Sequence, residues 1–366
     1  MASNGSDKKI LLAIESSCDE TACAFFDLDA FDNDTPIEDC LVAEKLSSQI
    51  KLHSDFGGVV PELASREHIR NLPLLINALH HETNIEKGAV KKIAVTAGPG
   101  LKGCLLVGVS YAKGLSLANN VPLIPINHLE AHILSGFYQL KKSTYLDKLP
   151  ALALLVSGGH TQILLIEKVG EYKIIANTQD DAAGEAFDKI GSLLGFKYPA
   201  GKELSEWARN GSIVHTLPLP VQNVQDSFSF SGLKTAASQL IKKEVGQINS
   251  DIEKKKFIEN FSASVENCIV QSLISKLEFW ISDLAESHKL KSIVLCGGVA
   301  ANETLKTAFK EVSIKNKLEA LMPPFRFCTD NASMIAIAAA LKMNNTITTN
   351  EPSTFPVKAR WPLSEI

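Results

Sequence analysis

His128 and His132 stand four residues apart in His128-Leu129-Glu130-Ala131-His132. On a helix that spacing puts both imidazoles on one face, close enough to share a metal ion. A bare pair at this spacing also occurs as ordinary surface or capping histidines. Two nitrogens do not complete a site, so an oxygen ligand is expected. Asp330, in Phe327-Cys328-Thr329-Asp330-Asn331, is the candidate. Thr329 or Asp330 also suits the N-cap of the apolar helix that follows, and one aspartate can do both. Cys328 would be a soft ligand, but its aromatic neighbour points to burial. Two histidines and one carboxylate leave coordination positions open for substrate, which suits iron(II) or zinc.

A second chemistry lies in glycine turns. Val156-Ser157-Gly158-Gly159-His160-Thr161 reads as a hairpin turn whose bare backbone N–H groups can approach a phosphate. Cys296-Gly297-Gly298-Val299-Ala300-Ala301-Asn302 reads as a strand, two glycines and a helix, whose N-terminus is a second anion site. With the polar turn at 16–20 they suggest a nucleotide cleft; turns also need glycine for shape alone. No Gly-x-x-x-x-Gly-Lys-Ser/Thr occurs, so this is not a P-loop. Asp180 through Lys189 reads as a capped helix start in which Asp181 and Glu185 suit the dipole and Asp188 can reach ribose hydroxyls. Arg66, His68, Arg70, Lys234, Lys242 and Lys243 are singly ordinary surface groups and jointly candidates for RNA phosphate contacts.

These residues need elements to hold them. Ile10–Ile14, a polar turn and Ala22–Phe26 form a strand–turn–strand hairpin. Leu152–Val156, the glycine turn and Ile163–Ile166 repeat it, so a duplicated α/β architecture is expected. A helix follows Pro61 toward Leu79, with a kink expected at Pro73. Further strands are expected at 92–96, 122–126 and 292–296, and further helices at 104–118, 185–194, 231–242, 254–288 and 331–343. The 122–126 strand feeds directly into the His128 helix, where α/β proteins place their sites. The expected domains are 9–148, joined by 344–366, and 149–343, after a flexible tail at 1–8. The polar stretch 141–149 is the candidate linker.

The 366 residues exceed what one core usually serves. Hydrophobic residues make up 45% and charged residues 21%, an ordinary globular balance, and the net charge of −4 gives no overall attraction for nucleic acid. Seven cysteines without a Cys-x-x-Cys fit free thiols in a reducing compartment. No apolar signal core opens the chain and no apolar run reaches the roughly 20 residues of a membrane span. A cytoplasmic bacterial protein without membrane partners is expected, an organelle with a trimmed presequence being the other location.

The motifs together resemble a known family. They are Ile14 through Thr21, Gly57 through Arg66, Thr96 through Leu101, His128 through His132, Leu155 through Gln162, Asp180 through Lys189, Ser229 through Thr235, Phe327 through Asn331 and Arg360 through Leu363. In this order they resemble the TsaD family, the tRNA threonylcarbamoyl-adenosine transferases once called O-sialoglycoprotein endopeptidases, over residues 10–364. His160 and Asp180-Asp181-Ala182-Ala183-Gly184-Glu185 are similar to the bacterial and organellar branch. The resemblance implies an actin/hexokinase-like (ASKHA) fold of two domains with a cleft. It implies transfer of threonylcarbamoyl from threonylcarbamoyl-AMP to the N6 amine of the adenosine 3′ of the anticodon, in tRNAs reading codons that begin with adenine. It implies one divalent metal, iron(II) before zinc, on His128, His132 and Asp330, bound by both domains. It implies adenylate contacts at Leu155, Val156, Ser157, Gly158, Gly159, Asp188, Gly201 and Asn302. The implied partners are tRNA, a smaller paralogous subunit (TsaB-like), an ATPase (TsaE-like) and an upstream adenylate-forming enzyme (TsaC-like).

The chain departs from the family pattern at Leu129 and Ala131, which lie between the ligands, at Ala200, which is expected to stiffen its loop, and at Ala332-Ser333. No general base is evident; Asp19 and Glu20 are candidates by position. The rival readings are a metalloprotease, an ATP-binding sugar-kinase-like or regulatory module, and a scaffold subunit. A zincin needs His-Glu-x-x-His, and Glu130 is displaced by one residue, about 100° around the helix.

Overall fold

The computed structural model describes residues 8–219, 224–245, 250–285, 287–343 and 355–366. Residues 1–7 of the expected tail and 344–354 of the expected C-terminal segment lie outside them. The chain divides into two compact units: Met1–Lys148 with Glu167–Tyr172 and Pro323–Ile366, and Leu149–Ile166 with Lys173–Met322.

In the first unit β1 (Ile10–Glu15) and β2 (Glu20–Asp27) form the expected hairpin, flanked by β3 (Leu41–Ser48), β4 (Val90–Gly98) and β5 (Leu123–Asn127) in the order β3-β2-β1-β4-β5. β2 is antiparallel to β1 and β3, while β4 is parallel to β1 and β5. Every residue of β1 is buried, as a continuous apolar run covered on both faces requires, whereas β3 alternates at the sheet edge. Two short helices, α1 (Leu28–Asp32) and α2 (Ile50–Ser54), precede α3 (Pro61–Thr83), α4 (Lys102–Asn119) and α5 (His128–Leu134). Leu72, Ile76 and Leu79 of α3 join the sheet core with Ile10, Leu12, Ile14 and Ile93. The helix starts on Pro61 and runs on through Pro73 rather than ending there. The proline removes one bond to the Ile69 carbonyl, and Ile69 is exposed, so water can take its place.

The second unit repeats the plan. β6 (Ala151–Val156), β7 (Thr161–Lys168), β8 (Glu171–Thr178), β9 (Ser227–Phe228), β10 (Ser292–Cys296) and β11 (Glu319–Leu321) lie in the order β11-β10-β6-β7-β8-β9. β6 is antiparallel to β7 and parallel to β10, which is parallel to β11. The run β11-β10-β6-β7-β8 thus matches β5-β4-β1-β2-β3, the duplication that the two hairpins announced. Its helices are α6 (Ala183–Leu193), α7 (Gly201–Ala208), α8 (Ser231–Val245), α9 (Asp251–Leu284) and α10 (Glu303–Asn316). Gly297-Gly298 opens a short 3-10 turn over Gly298–Ala301, not the expected α-helix; α10 begins only after Asn302, which caps it.

Two short helical pieces return the chain to the first unit: α11 (Phe325–Cys328) and α12 (Ala332–Met343). Residues 323–343 therefore belong with the first unit, whereas the sequence grouped them with the second. α12 is apolar all round, with Ala332–Leu341 buried, and such a helix needs cover on every side. It finds that cover against β1, β2 and α5. The expected 141–149 linker contains a 3-10 turn with Tyr145 buried, and the Ser143 N–H and hydroxyl both donate to Asp34, at 2.8 and 2.7 Å. All seven cysteines are free.

Candidate metal centre and glycine turns

α5 begins where β5 ends. The Asn127 side chain accepts from the N–H groups of Leu129 (2.9 Å) and Glu130 (3.2 Å), which stops the strand and starts the helix at His128. His128 and His132 then share one face, ring centroids 4.7 Å apart. Both Nε2 atoms converge on one oxygen of Asp330, at 3.4 and 3.1 Å. The helix cap expected of Thr329 or Asp330 comes from elsewhere. Asn331 accepts from Met334 N–H at 2.7 Å, and Glu44 accepts from Ser333 N–H at 2.8 Å. Asp330 is thereby left to the histidines. All three ligands belong to the first unit, not to both as the sequence suggested, because α12 packs beside α5.

Behind His128 stands Glu15, fully buried at the end of β1, with Oε2 3.2 Å from Nδ1. Thr96 donates to the same oxygen at 2.5 Å, and Ser17 N–H donates to Oε1 at 2.5 Å. The Ser17 hydroxyl also lies 3.2 Å from Nδ1. A carboxylate at Nδ1 fixes the ring and aims the Nε2 lone pair at the triad, as in histidines that bind metals. Burial opposes charge on these groups, but they hold one another ionised: Asp330 and Glu15 push the His128 imidazole well above its ordinary pKa, and the histidines hold Asp330 well below the carboxylate range. Three ligand atoms within 4.8 Å, a nitrogen–nitrogen–oxygen set and a carboxylate-backed histidine fit a divalent cation, which would displace the His128 proton. Cys328 is buried with its Sγ toward the carbonyls of Pro323 and Pro324, so it is not a fourth ligand.

Glu130 points away from the triad. It is fully buried, accepting from Tyr172 Oη at 2.9 Å and from Lys342 Nζ at 2.8 Å. Of the candidate bases, Asp19 and Glu20 are half-buried and hydrogen-bonded to each other. Burial, with Asp330 and Asp19, pushes the Glu20 carboxyl up to about 9, so without a cation beside it Glu20 keeps its proton at neutral pH.

In the second unit the glycine turn follows β6. Leu155 and Val156 are buried, leaving only their backbone to offer. Ser157 Oγ accepts from the N–H groups of Gly159 (3.3 Å) and His160 (3.1 Å), while Gly158 and Gly159 are exposed with open space where a Cβ would stand. A chain of close approaches ties the predicted residues together. Gly297, at φ +90°, brings the β10 turn against β6, where a Cβ would stand 2.4 Å from the Val156 carbonyl. Gly184 N–H donates to the Ser157 carbonyl at 3.2 Å. One helical turn on, Asp188 accepts from Gly201 N–H at 2.7 Å, and burial pushes its carboxyl up. A turn beyond Gly201, Ser205 accepts from Asn302 Nδ2 at 3.0 Å. Asp188 and Asn302 thus already serve as helix caps, for α7 and α10. The Ala200 methyl is buried against Gly191, so its role is packing rather than stiffening a free loop.

Most of the basic residues are engaged within their own units. His68 is buried, with Nδ1 2.7 Å from Thr21 Oγ1 and Nε2 2.9 Å from the Cys18 carbonyl, so it cannot meet a phosphate. Arg66 pairs with Glu62, Arg70 with Glu67 and Lys234 with Asp181. Lys242 and Lys243 are exposed in the last turn of α8. Sequence reasoning missed Glu15, Thr96, Glu44 and Asn127. Glu15 carried a signal, a carboxylate ending an otherwise apolar strand; the others are visible only once strands and helices meet.

A family model described as tRNA N6-adenosine threonylcarbamoyltransferase matches residues 40–337. Proteins of that name from Polynucleobacter necessarius (43% identical, covering 97% of this chain and 98% of the relative) and Nitrosomonas eutropha (40%, covering 98% and 100%) are similar from end to end. Among solved structures, full-length HypF in its phosphate- and nucleotide-bound form is similar in fold, with a TM-score of 0.55, 14% identity and coverage of 92% of this chain and 46% of HypF. Among the described residues no helix is long and apolar enough to cross a membrane.

Proposed function

The chain belongs to the tRNA N6-adenosine threonylcarbamoyltransferase family and is a transferase, and from that premise we propose that it moves threonylcarbamoyl from threonylcarbamoyl-AMP to the N6 amine of the adenosine 3′ of the anticodon, in tRNAs reading codons that begin with adenine. The observation that carries the metal-dependent form of this reading is the convergence of His128 and His132 on Asp330, with Glu15 behind the first ring. The amine nitrogen bonds to the carbamoyl carbon, the carbon–oxygen bond to the phosphate breaks, AMP leaves and the amine gives up one proton. A divalent cation on the triad, iron(II) by preference and zinc as the alternative, supplies Lewis acidity for the charge that develops. The open glycine turn at Gly158-Gly159 and the turn at Gly297 are assigned to the adenylate phosphate, and Asp188, Gly201 and Asn302 to the nucleoside. Asp19 and Glu20 both remain candidate bases, since a cation on Asp330 would offset one cause of the raised Glu20 carboxyl.

The duplicated sheets and the likeness to HypF support an actin/hexokinase-like fold. A cytoplasmic setting, with a smaller paralogous subunit, an ATPase and an adenylate-forming enzyme, completes the proposal. The peptidase alternative loses its water-activating glutamate, since both Glu130 oxygens are engaged by Tyr172 and Lys342. The test is reconstitution with threonine, bicarbonate, ATP, tRNA and the partner enzymes, followed by nucleoside analysis. Threonylcarbamoyl-adenosine should appear only when this chain is added; its absence with active partners present would reject the assignment.

A further inference from the structure

The Glu130 carboxylate lies between the two histidine ligands in sequence, and the reaction does not use it. It is 0% exposed, yet it faces Lys342 Nζ at 2.8 Å and Tyr172 Oη at 2.9 Å. These partners come from different places in the first unit: Lys342 from the last turn of α12, Tyr172 from the 167–172 segment. α12 is also the helix that begins just after Asp330. α5, which carries both histidines, and α12, which begins two residues after Asp330, therefore meet twice, beside the triad at one end of α12 and at Glu130–Lys342 at the other. Between these two meeting points the helix is rich in small residues: six of the ten over Ala332–Leu341 are alanine or serine. Alanine and serine side chains interlock less deeply than larger ones, which leaves part of the register to be set by polar contacts. A buried ion pair does not tolerate a slip in register, since parting the charges leaves one of them uncompensated. The Tyr172 hydroxyl stays a donor, burial and the Glu130 charge both pushing its pKa up.

We propose that Glu130 is a positioning residue: its pairing with Lys342 and Tyr172 fixes the register of α5 against α12, and so sets the distance at which His128 and His132 meet Asp330. This rests on the reading of those three residues as metal ligands. It gives the central glutamate of the motif a mechanical task.

The test compares zinc and cobalt(II) affinity, measured by competition titration on the full chain, with the thermal midpoint. The informative variant is E130Q/K342M, which removes both charges, leaves neither unpaired and keeps an acceptor for Tyr172. A register lock predicts a midpoint near that of the parent chain, but metal affinity lower by about tenfold or more, the loss typical of disturbed groups behind a ligand, with an altered cobalt absorption spectrum. A folded E130Q/K342M that binds both metals as the parent does overturns the proposal. If that variant does not fold, E130D decides: it keeps the charge but shortens the reach, and parental metal affinity in folded E130D is equally fatal. H132A separates the two ideas. Loss of metal in H132A with none in the Glu130 variants rejects the lock alone; metal retained by H132A rejects the triad itself.

Discussion

At the scale of single residues, buried carboxylates hold the histidines of the triad in place. Glu15 is the clearest. Its two oxygens take Thr96, Ser17 and His128, so His128 presents one defined nitrogen to Asp330. Glu15→Gln should keep the shape but lose the charge, and metal affinity should fall by about 10- to 100-fold, measured by competition with a chelator. An unchanged affinity would mean that His128 needs no such support. His68 makes the opposite case, an imidazole held neutral. Burial lowers its pKa below the ordinary 6.5. The unfolded chain therefore binds a proton that the folded chain refuses, and stability is lost as pH falls from 6.5 through the lowered value. The urea midpoint should drop between pH 7.5 and pH 5.5, and His68→Gln should remove part of that drop. An equal drop in both proteins would move the effect to other groups.

At the scale of elements, caps and glycines decide where chemistry can happen. Asn127 stops β5, starts α5 and donates to the Trp361 carbonyl at 2.9 Å, so one side chain fixes the residue before the first histidine. Asn127→Ala should cost about 1 kcal/mol or somewhat more, the usual worth of a cap, read as a lowered urea midpoint. In the second unit Gly184 lets α6 approach the glycine turn: a Cβ there would stand 2.6 Å from the Ser157 carbonyl. Gly184→Ala should push that turn aside and weaken AMP binding by calorimetry by about tenfold, the effect of roughly 1.4 kcal/mol of strain. AMP bound with parental affinity would remove the turn from the nucleotide site. The sequence announced most of these elements by their periodicity, including β1, β2, β6, β7, α3 and α5. It did not announce β3, β8 or α7, where polar residues alternate with short apolar ones and pairing with a neighbour, not local pattern, makes the element.

At the scale of the molecule, the repeated hairpins predicted the repeated sheets, because a buried strand run broken by a small-residue turn leaves few other structures. The His128–His132 pair was legible for the same local reason, a spacing of four on one helix. Its third partner could be guessed as Asp330, but assigning that residue to the first unit required knowing that an all-apolar helix would bury itself beside β1 and β2. Glu15 and the Glu130–Lys342 pair were hidden because they join residues 113 and 212 positions apart. Polar residues that seemed free for RNA, His68 above all, were committed to the fold, and no single-chain pattern distinguishes the two states. The proposed transfer depends on the triad. The direct measurement is the yield of threonylcarbamoyl-adenosine per chain, from preformed threonylcarbamoyl-AMP and tRNA with the partner subunits present, for the parent, His132→Ala and Asp330→Ala, with the metal content of each. The parent should carry one metal and modify its tRNA; both variants should fold, lose the metal and slow by about a thousandfold, the loss of several kcal/mol of charge stabilisation. Parental transfer by either variant without metal would contradict that dependence.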